Sequence, residues 1–253
     1  MQGVITDIDD TLTRDGALEP TARVALQALH DAGLPVLAIT GRPLGWSESY
    51  LKAGPLAWPL HAIVAENGAV ALIPEQGVVH VEYAQDAATR AHNAVRLAEV
   101  LQNIERSVPG AQRAQDSAGR ATDIAIDHSE FAQLGDAAIK SVVALMQQAG
   151  MSATVSSIHI NGWFGEHDKL SGARWMLQRL FGRALDAEIE RWVYVGDSTN
   201  DQAMFAAFPH SVGVANLMRF APQLHTWPAW ITRAECGLGF AEVAQALLAA
   251  RRV

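Results

Sequence analysis

Four short apolar runs recur along the chain, and each stops abruptly at polar residues. They are Val4-Ile5-Thr6 before Asp7, Val36–Ile39 before Thr40, Ala62–Ala65 before Glu66-Asn67, and Trp192–Val195 before Gly196-Asp197. Runs of this length and β-branched content are buried strands. After the first, Ala22, Leu26 and Leu29 fall on one side of a helix over Pro20–Ala32, stopped by Gly33. A weaker helix is expected around Trp46–Ala53, and a stronger one over Lys169–Phe181 ahead of the fourth run. Ser211–Val214 and Trp230-Ile231 read as further strands, and an alanine-rich helix from about Phe240 closes the chain. Strands alternating with helices dictate a parallel sheet built from crossover units.

The rhythm changes after the third run. Ala69–Ile73 and Val78–Val81 flank Pro74-Glu75-Gln76-Gly77, a hairpin pattern, and a long helix follows over Ala87–Val108. A strand over Thr122–Asp127 comes next, then a helix over Asp136–Gln148 that carries Ile139, Val142, Val143 and Met146 at helical spacing. Two short strands, Ala153–Ser156 and Ile158–Ile160, complete the segment. The expected fold is therefore α/β: a Rossmann-like parallel sheet core over 1–82 and 161–253, interrupted by an inserted α+β domain over 83–160.

Composition narrows the function classes. A hydrophobic fraction of 49% supplies a packed core, while a net charge of −8 argues against nucleic acid, whose phosphates need a basic face. Cys236 is the single cysteine, so no internal disulfide or cysteine-based zinc site is expected. The chain enters a strand at once, with no signal-peptide pattern and no apolar stretch of membrane-spanning length, so a cytoplasmic protein without a membrane partner is the expectation.

The polar residues that end the four runs carry the chemistry. In an extended chain Asp7 and Asp9 point the same way while Ile8 turns aside. Two carboxylates aimed together repel unless a cation or a shared proton lies between them. In an open parallel sheet all such strand ends line one rim, where ligands bind, so residues far apart in sequence converge there.

Asp7-Ile8-Asp9-Asp10-Thr11-Leu12, Thr40-Gly41-Arg42, Lys169 at a helix start and Gly196-Asp197-Ser198-Thr199-Asn200-Asp201 resemble the four ordered motifs of the haloacid dehalogenase-like hydrolases. Glu66-Asn67-Gly68-Ala69 followed by an insertion resembles the branch with a large α/β cap, which includes the Cof-type, sucrose-phosphate, trehalose-phosphate and mannosyl-phosphoglycerate phosphatases and phosphomannomutase. Ser198-Thr199 departs mildly from the pattern, where many relatives carry glycine. The resemblance implies Asp7 as a nucleophile that becomes an aspartyl-phosphate, and Asp9 as the acid and base beside it. It implies Mg²⁺ held by the Asp7 carboxylate, the Asp9 backbone and Asp197, with Asp201 as a ligand or as support for one. Thr40, Gly41, Lys169 and Asn200 would bind the phosphoryl group.

The implied function is Mg²⁺-dependent hydrolysis of a small phosphomonoester, a sugar phosphate or similar metabolite. A phosphomutase and a non-catalytic binder of phosphorylated ligands are the alternatives. A serine esterase at Ser198 finds no Gly-x-Ser-x-Gly elbow in support. In the insert, Arg120, Asp123, His128, His159 and Asn161 lie on or beside expected strands. Arg120 and His159, with Arg42 from the core, are the expected substrate contacts; the remainder are expected to be solvated. The oligomeric state is left open.

Overall fold

The computed structural model describes every residue except Ala53, Pro55, Leu56, Arg252 and Val253. The chain runs β1 (Gly3–Thr6), a small hairpin of β2 (Thr13–Arg14) and β3 (Ala17–Leu18), α1 (Pro20–Asp31), β4 (Val36–Ile39), α2 (Leu44–Glu48), β5 (Ala62–Ala65), β6 (Val70–Glu75) and β7 (Val78–Tyr83). Next come α3 (Ala87–Ser107), β8 (Gln112–Arg113), β9 (Asp123–Asp127), α4 (Asp136–Gln148), β10 (Ser152–Val155) and β11 (His159–Trp163). The remainder is α5 (Lys169–Phe181), α6 (Leu185–Glu188), β12 (Trp192–Gly196), α7 (Gln202–Ala207), β13 (His210–Gly213), β14 (Trp230–Ile231) and α8 (Cys236–Ala250).

The main sheet has the order β14-β13-β12-β1-β4-β5-β6-β7. Its first six strands are parallel, and β6 and β7 extend it antiparallel. Alternation along each strand divides the core between two faces. Val4, Val36, Ile63 and Val195 face α1 and α8, packing with Leu26, Leu29, Phe240 and Val243. Ile5, Leu37, Val64 and Tyr194 face the other side and pack with Met176, Leu177 and Phe205. The insert has its own antiparallel sheet, β10-β11-β9-β8, and its own core around Leu97, Ile104, Ile126, Val142 and Ile160. The fold is thus a Rossmann-like α/β core with an α+β unit inserted after the third parallel strand.

Register places the functional loops side by side. Thr6 lies opposite Val195 on one flank and Ala38 on the other. The ladder continues past the strand ends, with the Asp7 amide donating to the Val195 carbonyl at 2.8 Å and the Thr40 amide to the Val64 carbonyl at 2.9 Å. Asp7, Thr40, Glu66 and Asp197 therefore leave the sheet on one rim.

The turn after β5 reverses the chain through three consecutive residues with positive φ, Glu66, Asn67 and Gly68. Gly68, at φ +109°, also admits the start of α5: a Cβ there would stand 2.1 Å from the Asp168 carbonyl oxygen. That close approach brings Lys169 to the rim. Gly68→Ala combines a forbidden backbone angle with a backbone clash, so it is expected to cost about 2–6 kcal/mol. Gly77→Ala, at φ +82° with open space around it, carries only the conformational cost, about 1–2 kcal/mol. Urea unfolding of the two variants side by side measures the difference.

Three of the expected elements begin or end several residues away from the sequence reading. The helix expected at Trp46–Ala53 runs instead from Leu44 to Glu48, because the Glu66 carboxylate accepts from the Leu44 amide and fixes the helix start; Ala53 lies outside the described residues. Helix α8 begins at Cys236, where Asn216 Oδ1 accepts from the Cys236 amide and Glu19 from the Leu238 amide. Strand β11 continues past Ile160 to Trp163.

Candidate active site

Lys169 stands at the centre of the rim. It is the first residue of α5, whose N-terminus is closed by a capping box between Asp168 and Ser171. Its ammonium donates to Asp7 Oδ1 at 2.9 Å, Asp201 Oδ1 at 2.7 Å and Asn200 Oδ1 at 3.3 Å. Asp7, Asp197, Asp201 and Lys169 are all buried. Three buried carboxylates face one buried ammonium and the exposed Arg219, 3.8 Å from Asp197 Oδ2, which leaves an excess of negative charge.

Asp7, Asp197 and Asp201 each offer an oxygen within 4.8 Å of the others. Burial pushes the Asp7 carboxyl up to about 7, against the pull of Lys169 and with the push of Asp201 and Asp9. Burial, then Asp7 and Asp201, drive the Asp197 carboxyl well above its ordinary range. Asp197 Oδ1 is buried without a hydrogen-bond partner. An orphaned carboxylate oxygen inside an all-oxygen cluster of excess negative charge fits a hard divalent cation such as Mg²⁺.

Asp201 differs from the other two. Its Oδ1 accepts from Lys169 and from the Tyr194 hydroxyl, and its Oδ2 from the amides of Asp197 and Ser198. Both oxygens are already engaged, and the loop 197–201 is wound around them. Between the two roles expected for it, this geometry matches support for the Asp197 loop.

Asp9 faces a different set of groups. Arg42 Nε donates to its Oδ1 at 2.9 Å, and the Thr40 hydroxyl donates to its Oδ2 at 3.4 Å. The same guanidinium reaches Glu130 at 2.8 Å and Asp116 at 3.4 Å in the insert. Arg42 is thus a bridge between Asp9 and two carboxylates of the other unit. A cavity of about 400 Å³ opens beside it between core and insert, lined by Asp9, Arg42, Arg219, Ser129, Glu130 and Phe131 among others. The loop that forms its outer wall is rigid, because the buried Asp127 carboxylate accepts from the amides of Ser129, Glu130, Phe131 and Ala132.

The insert residues depart from expectation. Asp123, His128 and Asn161 are buried rather than solvated. The Arg120 side chain is buried too, and it does not line this cavity; it donates to Asp123, Asp116 and the Gly41 carbonyl. His159 Nε2 lies 2.9 Å from Glu130 and is likewise set back from the cavity wall. The reason is that the inserted sheet packs onto the Gly41–Arg42 loop, so polar side chains there meet the core and not water. Glu66 completes the junction, accepting from the Ala121 and Thr122 amides and the Thr122 hydroxyl.

Sequence reasoning missed Tyr194, Asn216, Arg219 and Glu130. Asn216 donates to the Asp10 carbonyl and lies 3.4 Å from Asp197 Oδ2, while Arg219 pairs with Asp10 at 3.1 Å. Asn216 follows β13 on the same rim, so the strand-end rule contained its signal.

Residues 4–107 match the family model of the haloacid dehalogenase-like hydrolases. No curated relative matches the sequence. Among solved structures, a Thermoplasma acidophilum protein is similar at TM-score 0.73 with 14% identity, covering 97% of each chain. This is the haloacid dehalogenase-like hydrolase fold. The sucrose-phosphatase of Synechocystis sp. PCC6803, solved with sucrose and phosphate, is similar at TM-score 0.67 with 16% identity over 97% of each chain. A haloacid dehalogenase-like hydrolase from B. subtilis is similar at TM-score 0.67 with 14% identity, over 97% of this chain and 99% of that one. The family model and the fold agree with the haloacid dehalogenase-like resemblance, and in this chain the α+β unit is inserted after the third parallel strand of the core.

Proposed function

We propose that the chain is a phosphatase acting on a small phosphomonoester, with Asp7 as nucleophile. The observation that carries this reading is the convergence of Asp7, Lys169, Asp197 and Asp201 in one buried cluster, with Asp9 and Thr40 beside it. Asp7 would attack phosphorus while Asp9 gives a proton to the departing oxygen. Asp9 would then take a proton from the water that cleaves the aspartyl-phosphate, returning Asp7 and releasing phosphate. Lys169, the Thr40 hydroxyl, the Gly41 amide and Asn200 would hold the phosphoryl oxygens. Mg²⁺, held by Asp7, Asp197 and the Asp9 backbone, would supply the positive charge that lets one anion approach another. Asp201 keeps that loop in shape.

The cavity of about 400 Å³ beside Asp9 suits a substrate of sugar-phosphate size. The likeness to a sucrose-phosphatase supports the same class. We place the insert, residues 83–160, as the unit that closes over that substrate, and the protein in the cytoplasm with no nucleic-acid or membrane partner. Among the described residues no helix is long and apolar enough to cross a membrane.

Phosphate release from p-nitrophenyl phosphate and from a panel of phosphorylated metabolites, with Mg²⁺ and with EDTA, tests the reading. The expected outcome is turnover that needs Mg²⁺ and favours a sugar phosphate. Isomerisation of a monophosphate in the presence of its bisphosphate would point to a mutase, and binding without turnover to a sensor.

Metal and proton compete for the same oxygens. In the metal-free protein the Asp7 carboxyl is raised from 3.8 to about 7, so its protonation favours the fold below 3.8 and that contribution is lost as the pH rises to about 7. Above that pH the fold holds an ionised buried carboxylate, which a divalent ion compensates. The rise in melting temperature on adding Mg²⁺ is therefore expected to be larger at pH 8 than at pH 6, measured by thermal unfolding at the two values.

A further inference from the structure

The peptide between Gly41 and Arg42 is held at both ends. Its carbonyl accepts from Arg120 at 3.0 Å and from Asn161 Nδ2 at 3.3 Å, two buried side chains of the insert. Its N–H donates to the Thr40 hydroxyl oxygen at 3.0 Å, and that hydroxyl in turn donates to Asp9 Oδ2. A chain of hydrogen bonds thus leads from the insert through one peptide plane to Asp9. Each bond in such a chain polarises the next and fixes its direction.

Arg120 and Asn161 are themselves locked. Asp123, with both oxygens on Arg120 at 2.9 Å, also accepts from Asn161 at 3.1 Å, and Asp116 takes the other arm of the guanidinium. Asn161 also packs against the Gly41 backbone, where an added Cβ would meet its Oδ1 at 3.1 Å. Neither residue lines the cavity beside Asp9.

We propose that Arg120 and Asn161 are positioning residues for the phosphoryl transfer, acting through the Gly41–Arg42 peptide to set the Thr40 hydroxyl and the Asp9 carboxylate. The proposal rests on the phosphatase reading and gives the insert a second task besides covering substrate: the phosphate-binding loop is competent only with the insert seated on it. A simple staple between the units would affect stability alone, and a substrate contact would affect KM.

The test is steady-state kinetics on p-nitrophenyl phosphate for Asn161→Ala and Arg120→Lys, with hydrogen exchange of the Arg42 amide followed in the same proteins. Asn161→Ala leaves the Arg120–Asp123 pair intact. It is expected to lower kcat about tenfold with KM within about twofold, and to speed exchange at Arg42. Arg120→Lys keeps a cation that still reaches Asp123 and is expected to lose less of kcat; it also serves if the alanine variant does not fold. Unchanged kcat with a lower melting temperature, or a raised KM at unchanged kcat, overturns the proposal. A parent protein that releases no phosphate from any substrate sinks the functional reading instead, while exchange at Arg42 still reports whether the coupling exists.

Discussion

Asp7→Asn is expected to reduce phosphate release by ~10⁴-fold or more while the protein stays folded. The amide has no charge to attack phosphorus with. Asp201 is engaged with four donors, and Asp9 is held by Arg42 and Thr40. Folding is expected to survive because the Asp7 carboxyl is already raised to about 7 by burial, so a neutral side chain costs little near neutrality. Its oxygen can still accept from Lys169. Phosphate release and a melting curve on the same preparation check both halves, and near-normal turnover in the folded variant contradicts the nucleophile assignment.

Lys169→Met is expected to act on stability and activity together. Among the described residues the ammonium is the one cation bonded to both Asp7 and Asp201, and all three groups are buried. Removing one partner from a buried ionic cluster leaves the other charges uncompensated, at a cost of about 3–5 kcal/mol. For a chain of this size that corresponds to roughly 6–20 °C in melting temperature without metal. Mg²⁺ should restore part of the loss by supplying the missing charge. Activity should stay about 10²–10³-fold down even with Mg²⁺, since the donor to the phosphoryl oxygens is gone. Urea unfolding with and without Mg²⁺, beside the kinetics, measures both. A variant as stable as its parent without metal would show that the cluster is not a strained ionic site.

The rim was legible in the sequence because two local rules combine there. Strand side chains alternate, and parallel strands end together, so Asp7, Thr40, Glu66 and Asp197 had to meet once the strands were recognised. What was not legible came from contacts between distant segments. The helix starts at Leu44 and Cys236 are fixed by groups from elsewhere in the chain, Glu66, Asn216 and Glu19, which accept from amides of their first turns. Asp123, His128 and Asn161 read as surface residues by type, yet they are buried where the inserted sheet meets the core. Arg120 was expected at the substrate, and its side chain is instead taken up by Asp116, Asp123 and Gly41. The hairpin at Asp15-Gly16 is a different case. Positive φ at both residues is the usual demand of a two-residue hairpin turn, and Asp-Gly is its common signature, so the signal was present before the strands were seen.

The proposed reaction turns on one covalent event, the passage of a phosphoryl group onto Asp7. Borohydride reduces an acyl phosphate to the alcohol, which converts the labelled aspartate to homoserine. Protein quenched with borohydride during Mg²⁺-supported turnover, digested and sequenced by mass spectrometry, is predicted to carry homoserine at position 7 and at no other aspartate. Homoserine at Asp9, Asp197 or Asp201, or none anywhere while phosphate is still being released, would contradict it.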